Sequence, residues 1–124
     1  MKHVIENIKK EVPDNKITAV GTNSIATSAM LKAGADMGAT GENPVRVLAP
    51  DAQIIVGPIG IITAHSLLGE ITCDMASCIG KSKAFKVLIP MEKCGVHVCG
   101  TKDLPLSEYI KEAVSIIKAN CSEL

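Results

Sequence analysis

The chain has 124 residues, with 13 lysines and arginines against 13 aspartates and glutamates, so its formal net charge is zero. Hydrophobic residues make up 47% and charged residues 21%, which excludes intrinsic disorder and suits one domain with one buried core. The balanced charge leaves no basic excess to neutralise phosphates, and aromatics at only 2% offer few rings for stacking, so nucleic acid is not an expected partner.

Residues 1–12 read as a helix. Val4, Ile5, Ile8 and Val12 share one face, and Pro13 ends it. Pro13-Asp14-Asn15 turns the chain into Ile17–Val20, a short β-branched run expected as a buried strand. Gly21-Thr22-Asn23-Ser24 follows, with Asn23 or Ser24 capping a helix that runs to about Ala33. Asp36 to Gly41 reads as loop. Asn43-Pro44 opens a short helix that stops near Pro50-Asp51.

Gln53–Val56 reads as a second buried strand, ending in Gly57-Pro58-Ile59-Gly60. A helix is expected from about Ile61 to Leu68, and a second, capped by Thr72, from Cys73 to about Gly80. Lys86–Ile89 is a third strand. Val96–Cys99 reads as a fourth, which the short connection Met91–Gly95 forces to be antiparallel or placed elsewhere in the sheet. Leu106 to Ala119 is an amphipathic helix, with Leu106, Tyr109, Ile110, Ala113, Ile116 and Ile117 on one stripe. Strands alternating with helices predict a single α/β domain, 1–124, with a mostly parallel, three-layer, Rossmann-like sheet. Its first helix starts at residue 1 with no strand before it, so a gap is expected in that sheet and Met1 is expected not to be the natural structural start.

Five cysteines are an odd number, and a charged, amphipathic N-terminus is no secretory leader, so a cytoplasmic protein with reduced thiols is expected. Ala52 to Gly69 carries no Asp, Glu, Lys or Arg, but Gly57-Pro58 breaks any helix of spanning length. No membrane association is expected.

The segments GTNSIATSAMLKAGADMGATGEN (21–43), GPIGIITAHSLLGEIT (57–72) and KVLIPMEKCGV (86–96) resemble a family of short bacterial proteins known as a domain of unknown function. The resemblance covers nearly the whole chain. Members of that family typically open with a strand and a Gly-rich turn in the Rossmann manner, which this sequence lacks. The resemblance implies the fold and leaves function and cofactor open.

Ligands of open α/β sheets sit beyond the strand carboxyl ends, where helix N-termini present free N–H groups. Thr22, Asn23 and Ser24 follow one strand there, and Gly57 and Gly60 follow another, with glycines that permit close backbone approach. Thr40, Gly41, Glu42 and Asn43 are expected on the same edge, with Glu42 facing a ribose or a cation. The bland reading of each is a turn or a cap; as a turn residue, Asn23 is expected to add little to stability.

His65 and Glu70 are candidates for acid–base chemistry on or just after an uncharged helix, although such a histidine more often simply packs. Cys94, at a turn, and His97 and Cys99, on one face of the following strand, have metal-like spacing but lack a fourth ligand nearby, so no metal is expected. The cysteines read instead as small buried hydrophobic residues, Cys73 and Cys78 included. The leading expectation is binding of a small anionic or nucleotide-like molecule at the strand carboxyl ends. The alternative is a homodimer formed through the uncharged helices 24–33 and 61–68, with no ligand; the two can coexist, and a homo-oligomer, most simply a twofold dimer, is expected. Whether the protein is an enzyme is not legible from these residues.

Overall fold

The structure is a computed structural model that describes residues 1–91 and 95–121. It is α/β. Helix α1 (Lys2–Glu11) leads to strand β1 (Thr18–Gly21), helix α2 (Ser24–Lys32) and strand β2 (Met37–Thr40). Helix α3 (Glu42–Leu48) runs into a single 3-10 turn at Ala49–Asp51. Strand β3 (Ile54–Pro58) and a 3-10 segment, Ile59–Ile62, come next. Helix α4 (Cys73–Lys81), strand β4 (Phe85–Ile89) and helix α5 (Leu106–Cys121) complete the order.

The strands form two separate parallel pairs rather than one sheet. β1 pairs with β2, Thr18 opposite Met37 through Gly21 opposite Thr40. β3 pairs with β4, Ile54 opposite Phe85 through Pro58 opposite Ile89. Side chains alternate along each strand between different clusters. Ile54 and Val56 of β3 pack on a cluster built from α1, β4 and α5, around Val4, Ile8, Val87, Ile110 and Val114. Ile55 of β3, facing the other way, packs on Val45, Ile71, Met75 and Ile79 from the α3–α4 side. Val20 of β1 joins that second cluster, while Ala19 packs with Ile5 of α1. Helix α1 therefore touches both pairs, which buries its stripe of Val4, Ile5 and Ile8.

Three further expectations are corrected here. The first is the loop Asp36–Gly41, which contains strand β2. Its Met-Gly-Ala-Thr sequence shows no β-branched run, because β2 is exposed along most of its length and has little burial to pattern it. It forms because α2 lies almost on top of it: a Cβ at Gly38 would stand 3.0 Å from Leu31 and Thr27 side chains. Asp36 fixes the entry. Its carboxylate accepts from the Lys9 ammonium at 2.6 Å and from the Ile17 N–H at 2.8 Å. These bonds hold the carboxyl below the usual carboxylate range.

The second correction is the helix Ile61–Leu68, which does not form. Ile59–Ile62 is one 3-10 turn, and His65, Leu67 and Leu68 have left-handed φ values of 65°, 55° and 56°. The competing bonds are visible. Buried Ser66 donates to the Gly60 carbonyl at 2.5 Å, and the Ile71 N–H donates to the Ser66 carbonyl at 3.2 Å. Folding the segment back this way drives Ile71 to 2% exposure in the core.

The third is the strand Val96–Cys99: residues 96–98 are irregular and 99–100 form a turn, so the antiparallel fourth strand is absent among the described residues. The connecting residues 92–94 lie outside them. Among the described residues, no helix is long and apolar enough to cross a membrane.

Candidate functional site

The connections that leave β1, β2 and β3 meet through side-chain hydrogen bonds. Thr22, immediately after β1, donates to the Glu70 carboxylate at 3.0 Å. Glu70 belongs to the folded-back segment after β3. Glu42, at the first turn of α3 just after β2, accepts from the Thr72 hydroxyl at 2.5 Å. Thr72 is the cap of α4, and the same hydroxyl accepts from the Met75 N–H at 3.1 Å. Two hydroxyls and two carboxylates thus link the residues that follow β1 and β2 to the stretch 70–72 that leads into α4.

The electrostatics here are acidic with one counter-charge. Arg46 pairs with Asp74 on α4 and, at 3.5 Å, with Glu42 one turn earlier on its own helix. The Asp74 hydrogen bond, then the Glu42 charge, raise the guanidinium further above its ordinary value, so Arg46 stays charged at any working pH. Glu42 itself sits at the N-terminal end of α3, where its carboxylate complements the free N–H groups.

Other predicted residues have structural work. Asn23 is the cap of α2: its side-chain oxygen accepts from the Ala26 N–H at 2.9 Å. That corrects the expectation of a turn residue with little effect on stability, since loss of such a cap costs roughly 0.5–2 kcal/mol. The Thr40 hydroxyl lies 2.8 Å from the hydroxyl of Thr27, which is buried and also reaches the Asn23 carbonyl, so it joins β2 to α2. Gly57 is buried within β3, and a Cβ there would stand 2.8 Å from Ile61. The close approach it permits is by the chain itself. Gly60 offers its carbonyl to Ser66. Gly41, at φ 100°, leads into α3 and donates to the Gly21 carbonyl at 3.0 Å. Ser24 and Asn43 are exposed.

The sequence places His65 and Glu70 on or just after a helix, whereas the structure puts both in the folded-back segment. The His65 N–H donates to the Ile71 carbonyl at 2.7 Å, and its ring Nε2 stands 3.3 Å from Cys73 Sγ. Cys73 was not among the candidates. It is exposed, as is Cys99, while Cys78 and Cys121 are half-buried; the reading of buried thiols is corrected. The available signal was Thr72: a cap there places Cys73 at the first helical position, at the rim rather than in the core.

Of the metal-like trio, Cys94 lies outside the described residues. His97 is on irregular backbone and lines a separate cavity of about 500 Å³ with Thr101, Lys102, Asp103 and Tyr109. No group of three His, Cys, Asp or Glu able to hold a metal ion occurs among the described residues.

Fold and site together define a small α/β protein in which hydroxyl–carboxylate bonds join the connections that follow its parallel strands. The chain belongs to the family described as Domain of unknown function (DUF3842), which matches residues 1–122. No curated protein and no solved structure matches it.

Proposed function

We propose that this protein binds a small nucleotide-like molecule at the Rossmann-like edge where β1 and β3 end. The observation that supports this reading is the pair of bonds Thr22–Glu70 and Thr72–Glu42, which join the connections after β1, β2 and β3. Carboxylates at such an edge accept hydrogen bonds from sugar hydroxyls. Glu42, Glu70 and Asp74 oppose a bare anion, so the sugar end, rather than phosphate alone, is what this surface recognises. The protein acts in the cytoplasm, where its thiols stay reduced.

Calorimetric titration with ribonucleosides, ribonucleotides and sugar phosphates tests the reading. Ribose-bearing ligands are expected to bind more tightly than their 2′-deoxy counterparts. Glu70→Gln is expected to weaken them by about tenfold, the value of a hydrogen bond to a charged group. Absence of heat with every member of the panel, or equal binding by Glu70→Gln, would overturn it.

The alternative, a homodimer, draws support from two apolar side chains in the segments expected to form its interface. Ile25 is 82% exposed and Leu68 fully exposed. Light scattering is expected to give twice the chain mass under this reading, and the monomer mass for the double variant Ile25→Lys/Leu68→Lys. A monomer for the unaltered chain at high concentration sinks it.

A further inference from the structure

The contact between Cys73 and His65 has no role in the binding surface just described. A thiol and an imidazole nitrogen 3.3 Å apart, both exposed, form the nucleophile–base pair on which sulfur chemistry depends. The pair is held from both sides. Cys73 opens α4 directly after the Thr72 cap, and His65 is fixed by the bond between its N–H and the Ile71 carbonyl. Ile71 in turn is anchored in the core. The left-handed φ of His65 turns its ring back toward a residue eight positions later. Cys99, by contrast, is exposed and makes no hydrogen bond to an imidazole among the described residues.

We propose that Cys73 is a reactive thiol that adds to small, uncharged α,β-unsaturated carbonyl compounds, with His65 as its proton acceptor and donor. The step balances without a co-reactant. The Sγ–H proton passes to His65 Nε2, and the thiolate forms an S–C bond to the β-carbon. The C=C π bond breaks, its electron pair moves to the α-carbon, and the imidazolium returns the proton there. Glu70 lies between the two in sequence and Asp74, paired with Arg46, follows Cys73; their net negative charge disfavours anionic electrophiles. This inference is independent of nucleotide binding.

The test is limiting N-ethylmaleimide on the full chain, with the adduct at each cysteine followed by peptide mass spectrometry. Cys73 is expected to react about tenfold or more faster than Cys99, with histidine assistance accounting for the difference. His65→Asn, chosen because asparagine tolerates left-handed φ, is expected to remove that advantage and leave the Cys99 rate unchanged. A carboxylate-bearing maleimide is expected to react more slowly than the neutral one at Cys73. Equal rates at Cys73 and Cys99 in the unaltered protein would overturn the proposal, even if His65→Asn fails to fold. So would a folded His65→Asn protein whose Cys73 rate is unchanged, and equal rates with the two maleimides would overturn the preference for uncharged compounds.

Discussion

Gly21→Ala is expected to destabilise the protein sharply, because the methyl group has no place to go. A Cβ at this position would stand 2.3 Å from the Thr27 hydroxyl and 2.7 Å from the Thr27 backbone nitrogen. The second of these is fixed by the helix, so α2 itself must move. Overpacking of a closed site costs roughly 1–3 kcal/mol, and here it also strains the Asn23 cap and the Thr27–Thr40 contact. Thermal unfolding followed by circular dichroism checks this. Gly80→Ala serves as the control: Gly80 lies within α4 with nothing near its missing Cβ, so alanine there is expected to stabilise by about 0.5–1 kcal/mol. Equal melting temperatures for the two variants would contradict the geometry.

Ile71→Ala is expected to have the larger effect. Ile71 is 2% exposed among Val45, Met75 and Ile79, and truncating such a residue costs roughly 2–5 kcal/mol. That is a large share of the stability of a domain this size, about 5–15 kcal/mol. Its backbone holds His65 and Ser66, so the damage extends to the folded-back segment. Denaturant unfolding is expected to show the loss. A variant that unfolds at the same midpoint as the unaltered chain would show that this side chain does not anchor the segment.

The elements legible from sequence are those whose burial is one-sided. α1 and α5 announce themselves because one stripe faces the core and the other faces water. Strands β1, β3 and β4 announce themselves through β-branched runs between breakers. Strand β2 carries no such mark, since exposed Met37 and Gly38 report a partner rather than a pattern. The segment 59–72 misleads in the opposite direction. Its uniform apolarity resembles a buried helix, while its conformation is decided by Ser66 and Ile71, whose bonds depend on where the chain has already been placed.

The same divide runs through the candidate site. Thr22 and Glu42 could be placed by the rule that ligands gather beyond strand carboxyl ends. Their partners, Glu70 and Thr72, lie 48 and 30 residues further along the chain, a pairing that no local reading supplies. Cys73 was hidden by an average: cysteines are usually buried, and this one sits on a helix rim.

The division of the strands into two pairs has a consequence for how the molecule opens. Residues 18–40 close a strand–helix–strand unit through contacts near in sequence, and residues 54–89 close a second. Between them run α1 and the cluster joining Val20 to Ile55, with no shared ladder among the described residues. Amide hydrogen exchange should therefore resolve two protection levels, each belonging to one contiguous stretch. The 54–89 stretch, with Ile71, Val87 and Ile89 at its centre, should be the slower to exchange. The 18–40 stretch, whose outer strand is exposed, should open first and carry Thr22 away from Glu70 as it does so.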